Sequence, residues 1–270
     1  MGYALEDAAR VLECDRSKIS RIETGQRGIR PKELRELLTE YGVPESEQAA
    51  LVSLARRGGQ RGWWDQYADA LPRASVDYVI MEATAAEIMT YEAQLVPDLL
   101  QTEDYARAVA AAEPDYGTDG QRELAVAAKA ARQETVLGGI RRLSVVIGEA
   151  ALRQQVGSPE IMREQLSHLA DQPAAEIRVL PFGAGAHAIS GAGPLQVVRF
   201  GAVPALGAVR VPDPSGGHCL IDPADVAACV RTFASVRAAA LTAEDSRALL
   251  ISLCTETAGP LMHPDLARPR

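Results

Sequence analysis

Aromatic residues are scarce in this 270-residue chain: Phe, Trp and Tyr together make up 4%. Any core must therefore be built from Ala, Leu, Val and Ile. An apolar share of 47% with 24% charged residues is enough for a globular interior. Cysteine is sparse too. Cys14, Cys219, Cys229 and Cys254 are scattered and show no CxxC spacing, which excludes a disulfide framework and reads as reduced, mostly buried small hydrophobes. The four histidines are equally dispersed, so no preformed zinc site is expected, and no metal or cofactor. No GxGxxG follows a strand into a helix and no GxxxxGK[ST] is present, which leaves nucleotide binding by those devices unsupported. No apolar run reaches bilayer-spanning length, and the expected location is cytoplasmic.

The formal charge of −8 looks wrong for a nucleic-acid binder, but it is unevenly spread. Residues 1–60 carry ten basic and ten acidic groups, so the whole deficit lies in the rest of the chain. Within residues 16–35, seven Lys/Arg face only Glu23 and Glu33. A local positive patch on an acidic protein suits phosphate contact in one place and repulsion elsewhere.

That patch coincides with residues 15–25, the most informative stretch. Ile19 and Ile22 lie three apart and share an inward face, leaving Arg16, Ser17, Lys18, Ser20 and Arg21 outward. Those types donate to phosphate oxygens and base edges. Asp15 is placed to cap the start, and Gly25 to end the helix in a left-handed conformation. Leu5 to Leu12 forms a second short apolar-periodic segment before a break at Glu13-Cys14, which completes a helix-turn-helix. The plainer reading is a surface helical hairpin with solvated charges. Glu13 stands at the turn position that in helix-turn-helix units is often Gly, the residue for which a left-handed backbone is easiest.

Pro31 opens a third helix through Leu34, Leu37, Leu38 and Tyr41, ended by Gly42. Pro44 starts a fourth that buries Leu51, Val52 and Leu54. These boundaries divide the chain into a helix-turn-helix module (1–57), a linker (58–76), an α+β domain (77–258) and a disordered tail (259–270). The linker holds Trp63, Trp64 and Tyr67, expected to dock it onto one domain. Helices are expected at 103–112, 119–137, 159–170, 223–240 and 243–256, and strands at 87–93, 143–147, 176–180, 194–200 and 206–211. The last three strands, separated by Gly/Pro turns, read as an antiparallel meander. The fold class is α+β: an all-α module plus a larger domain with a mostly antiparallel sheet and flanking helices.

Residues 17–25, Ser-Lys-Ile-Ser-Arg-Ile-Glu-Thr-Gly, resemble the recognition-helix segment of Xre-type (Cro/repressor-like) regulators. Tyr91-Glu92-Ala93-Gln94-Leu95-Val96-Pro97-Asp98-Leu99-Leu100-Gln101-Thr102 with Tyr105-Ala106, together with Gly148 to Arg153 and Val179 to Phe182, resembles the C-terminal DUF5753 domain carried by many such regulators. The resemblance implies a DNA-binding N-terminus, a C-terminal domain without settled chemistry, and a small DUF397-type partner protein. Xre-type domains normally have five helices, and Met1-Gly2-Tyr3 stands where the loop after the first would be. The expectation is therefore a module lacking its first helix.

Arg16, Ser17 and Lys18, at the N-terminal end of the recognition helix, are expected at base edges, Ser20 and Arg21 at a base or the backbone, and Arg27 and Arg30 at phosphates. Glu23 is expected to pair with Arg27 at i+4. In the larger domain, Tyr91, Glu92, Gln101, His187 and His218 are candidate pocket residues, the histidines carried on two Gly-rich loops (182–194 and 212–222). The alternative is that the glycines serve hairpins, the histidines are solvated and Pro97 makes a structural turn. His187, His218, Cys219, Asp213 and Ser215 assemble into a nucleophile–base pair only on paper, so no catalytic residue is assigned. The resulting expectation is a homodimeric regulator of double-stranded DNA whose C-terminal domain senses a signal or binds a partner. The alternative is a homologue deficient in DNA binding whose C-terminal domain acts as an enzyme or small-molecule binder.

Overall fold

The computed structural model describes residues 4–58, 62–67, 73–113, 118–139, 142–191, 193–201, 203, 206–211 and 217–257. The tail expected after residue 258 and the 212–216 part of the second Gly-rich loop, with Asp213 and Ser215, lie outside them.

Four helices make the N-terminal module: α1 (Leu5–Val11), α2 (Arg16–Glu23), α3 (Pro31–Glu40) and α4 (Glu45–Gly58). Ala8 and Ala9 of α1, Ile19 of α2 and Leu37 of α3 form its small core, with Leu5, Val11, Leu12, Cys14, Ile29 and Tyr41 packed around it. Small alanines on α1 let α2 approach closely, and Ile19 is 2% exposed at the centre of the cluster. Glu13 carries the turn between α1 and α2 at φ 46°, alone among non-glycine described residues in having positive φ. Gly25 (φ 71°) follows α2 as expected, and the Arg27 amide donates back to the Arg21 carbonyl at 2.9 Å. Asp15 does occupy the N-cap position, but its carboxylate makes no cap hydrogen bond.

After a 3-10 turn (Trp63–Tyr67), α5 (Arg73–Thr84) occupies part of what reads in sequence as linker. The larger domain then runs β1 (Glu87–Glu92), α6 (Glu103–Ala112), α7 (Asp119–Gly139), β2 (Arg142–Gly148), α8 (Glu149–Arg153), α9 (Pro159–Ala170), β3 (Glu176–Leu180), β4 (Leu195–Arg199), β5 (Gly207–Val211), β6 (His218–Leu220), α10 (Pro223–Ala239) and α11 (Ala243–Glu256). One six-stranded sheet has the order β3-β2-β1-β4-β5-β6. Its β1–β2 and β2–β3 pairings are parallel, and the other three are antiparallel.

The α+β class holds, but the meander must be corrected. It is β4-β5-β6, with the three-residue β6 unread in sequence. The 176–180 strand is instead the opposite edge, reached from β2 through α8 and α9. A parallel neighbour requires a crossover of a dozen or more residues, and α9 supplies it. At this edge the Val179 amide donates to Ser246 Oγ (2.8 Å), while its carbonyl accepts from the Leu241 amide (2.9 Å), so two free ladder groups are satisfied by the α10–α11 corner.

The two faces of the sheet bury different layers. Ile88, Leu143, Val145, Ile147 and Val198 pack with residues of α5, α6, α9 and α11. Met89, Tyr91, Val146 and Val197 pack under α10 through Val226, Phe233 and Val236. Alternation along β1 therefore sends odd and even positions to opposite layers, which decides where each candidate site residue lies.

Candidate nucleic-acid interface and a buried polar cluster

Helix α2 keeps Ile19 inward and leaves Arg16, Ser17 and Arg21 exposed, with Ser20 half-buried. Arg27 and Arg30 are exposed in the loop that follows. The outward side of the helix is thus open and basic. Two of its cations have local partners at the surface. Arg16 pairs with Glu6 of α1 at 2.9 Å, both more than half exposed, so the pair contributes little and is readily exchanged for a phosphate. Arg21 Nε donates to the Ser17 carbonyl at 3.1 Å, which lays its guanidinium along the helix toward the N-terminal end.

Lys18 is placed differently. Its ammonium meets Glu33 Oε1 of α3 at 2.7 Å, with the two side chains only 17% and 20% exposed. The Arg30 amide also donates to Glu33 Oε2 (3.3 Å), and together the Lys18 and Arg30 contacts hold the Glu33 carboxyl below its ordinary pKa. Lys18 therefore fastens α2 to α3. The expected Glu23–Arg27 ion pair is absent among the described residues. Helix α2 ends at Glu23, so Arg27 lies beyond the last turn and the i+4 proximity no longer applies.

In the larger domain the five pocket candidates do not converge. Tyr91 points into the α10 layer, where its ring meets that of His187 edge-on at a centroid distance of 5.7 Å. His187 Nδ1 is buried without a hydrogen-bond partner among the described residues. Glu92, the next residue on β1, belongs to the other face. His218 lies exposed on β6 at the far edge of the sheet. Both ends of the Gln101 amide are occupied: its Nε2 donates to the Val96 carbonyl (2.7 Å) and its Oε1 accepts from the Lys129 ammonium (2.8 Å). Gln133 Nε2 donates to the Asp98 and Gln101 carbonyls, Gln165 holds the Leu100 carbonyl and the Thr102 amide, and the Tyr105 hydroxyl accepts from the Val96 amide. Three glutamines and a tyrosine thus satisfy the irregular 96–102 backbone, and the Pro97 segment is a structural turn.

Beside that turn lies a polar cluster that sequence reasoning missed apart from Glu92 and Gln101. Arg132 of α7 donates from two nitrogens to Glu82 of α5, at 2.5 and 2.9 Å, with Glu82 fully buried. Arg132 also reaches Asp98 (3.3 Å), which Lys129 meets at 2.9 Å. Burial alone would raise the Asp98 carboxyl, but Lys129 and Arg132 outweigh it and hold it well below the usual range. Glu92 has no such compensation. Burial, then repulsion from Asp98, pushes it up to about 8 against a weaker pull from Arg210. Arg210 stacks over the Tyr78 ring at 5.6 Å. The Tyr78 hydroxyl is buried without a partner among the described residues, as is that of Thr90. No local motif announces this cluster, because Arg132 and Glu82 are fifty residues apart and meet only after two helices have packed.

Two family models match the chain. One, described as a domain of unknown function (DUF5753), covers residues 76–252; the other, a helix-turn-helix domain, covers residues 2–51. The chain belongs to the DUF5753 family. Its DUF5753 domain begins within α5 and includes the whole sheet and both polar sites just described. The helix-turn-helix match spans α1 to α3 and half of α4, including every residue of the basic face. No curated protein and no solved structure matches the chain. Among the described residues no single helix is long and apolar enough to cross a membrane, and no group of His, Cys, Asp and Glu is placed to hold a metal ion.

Proposed function

We propose that this protein is a cytoplasmic, DNA-binding regulator of transcription, in which α2 enters the major groove and the DUF5753 domain receives the regulating signal. The observation that carries this reading is the open outer face of α2. Arg16, Ser17, Ser20 and Arg21 face outward on a helix whose inner residue, Ile19, is fixed in the module core. Arg16 and Ser17, at the N-terminal end, meet base edges together with Arg21, while Arg27 and Arg30 flank the helix as phosphate contacts. Lys18 acts mainly through Glu33, setting the angle at which the helix is presented. One eight-residue recognition helix reads few base pairs, so the working unit is a homodimer on a two-fold operator.

The test is selection of duplexes from sheared genomic DNA by the purified full-length protein at modest salt. The expected result is a recovered two-fold motif, with half-sites one helical turn apart, that competes against random DNA. Recovery of no motif, with no duplex retained, overturns the reading and leaves the DUF5753 domain as the part that works.

A further inference from the structure

Thr90 of β1, Gln196 of β4 and Arg210 of β5 stand in register, Thr90 opposite Gln196 and Gln196 opposite Arg210. Directly opposed residues of antiparallel strands turn to the same side of a sheet. Here that is the side of Ile88, Val198 and Ala208, the layer into which Tyr78 of α5 also packs. Thr90 and Tyr78 are each 1% exposed. Buried hydroxyls are normally hydrogen-bonded, yet neither of these has a partner among the described residues. The Arg210 guanidinium lies over the Tyr78 ring at 5.6 Å and makes no hydrogen bond or ion pair among the described residues.

The neighbouring cations are already engaged. Lys129 is paired with Asp98, and Arg132 with Glu82 and Asp98. Arg210 is left as a single uncompensated positive charge. Glu92, raised to about 8, is mostly protonated at neutral pH and offers an O–H rather than a further negative charge. The cluster also has an open side, because Glu92 and Arg210 are half-buried and Asp98 keeps 36% of its side chain exposed. A cation entering there meets Arg210, Lys129 and Arg132. A phosphate dianion meets Asp98 with one free counter-charge. A planar monoanion with two oxygens matches the guanidinium fork in both charge and shape.

The geometry points to this cluster as a binding site for a small organic carboxylate. Its two oxygens take the Arg210 fork, and the Tyr78 and Thr90 hydroxyls donate to it. Both hydroxyls are closed to solvent, so binding draws Arg210 off the Tyr78 ring, where a cation–π contact holds it. Helix α5, which carries Tyr78, packs against α4 of the helix-turn-helix module, so a shift of α5 is felt there. As the chemical class of the regulating signal the carboxylate rests on the regulator reading above; as a ligand of this domain it does not.

The test follows trifluoroacetate by fluorine NMR as full-length protein is added at constant ionic strength. The expected result is saturable line broadening that acetate reverses, acetamide does not, and inorganic phosphate reverses at least about tenfold less readily. Arg210→Lys keeps the charge but loses the fork, and is expected to weaken binding about tenfold. Tyr78→Phe keeps the ring under Arg210, and Thr90→Val keeps the shape; each is expected to weaken binding several-fold. Because neither hydroxyl has a partner in the fold, both variants are expected to melt no earlier than the parent. Arg231→Ala, an exposed arginine on α10, is expected to leave the titration unchanged. Non-saturable broadening, equal reversal by acetamide or phosphate, or an equal loss in Arg231→Ala overturns the site. Unchanged affinity in Tyr78→Phe and Thr90→Val overturns it as well, and so does early melting of both, which would place the hydroxyls in service of the fold. No DNA enters these titrations. A protein that passes them and retains no duplex loses the regulator reading and keeps the site.

Discussion

Lys18 and Glu33 join the recognition helix to the helix after it through a 2.7 Å ion pair that is mostly shielded from solvent. A lysine that reads in sequence as a base contact is therefore part of the mount on which its neighbours are presented. Removing either partner leaves the other half-buried and unpaired. Lys18→Ala and Glu33→Ala are each expected to cost about 1–2 kcal/mol in urea unfolding, with most of that recovered as coupling in the double variant. Glu33 is depressed in the folded state, so its contribution is present above its ordinary value of 4.5 and lost as pH falls through the lower folded value. Additive single effects would contradict the pairing.

Glu13 bears the left-handed turn between α1 and α2 at φ 46°. Glycine relieves that conformation, so Glu13→Gly is expected to raise stability by about 0.5–1 kcal/mol in the same unfolding experiment. Glu13→Val, β-branched at positive φ, is expected to lower it by more. A destabilised glycine variant would mean that the Glu13 side chain has a role beyond the turn.

The Arg132–Glu82 pair is the most deeply buried ion pair among the described residues of the DUF5753 domain. Arg132→Ala strands Glu82 in the interior and is expected to cost about 3–5 kcal/mol, whereas Arg132→Met with Glu82→Leu recovers most of it. Chemical denaturation of the three variants distinguishes these outcomes. An equal loss in the double variant would show that the charges contribute more than mutual compensation.

Glu92 titrates near 8 in the fold against an ordinary 4.5. An acid raised on folding binds its proton in the native state while the unfolded state has lost it, so stability falls as pH rises from 4.5 to about 8 and levels above. The groups facing it are Asp98, which raises it further, Arg210, which lowers it, and Tyr105, itself shifted upward by burial and neutral throughout. Melting temperature against pH is expected to lose this slope in Glu92→Gln and keep it in His218→Gln.

The helical module is legible in sequence because its signals are local. Pro31, Gly25 and Gly42 mark ends, Ile19 and Leu37 mark the inward face, and Glu13 falls where the turn demands positive φ. Most strands and helices of the larger domain are legible for the same reason. Their pairing is not. The 176–180 run fits a hairpin partner as well as a crossover partner, and only the packing of α9 decides for β2. The pocket candidates failed to converge because Tyr91 and Glu92 are adjacent, and adjacent strand residues face opposite layers. Tyr78, Arg132 and Arg210, which complete the polar cluster, come from three distant segments whose approach no local periodicity records.

Base reading by the outer face of α2 underlies the proposed regulator. It is tested most directly by fluorescence anisotropy of the selected operator and a scrambled duplex of equal length, with Arg21→Ala and Arg30→Ala side by side. Arg21→Ala is expected to lose about 1–3 kcal/mol on the operator and much less on the scrambled duplex, while Arg30→Ala weakens both alike and reduces the salt slope by about one. Equal losses on both duplexes for Arg21→Ala would contradict it.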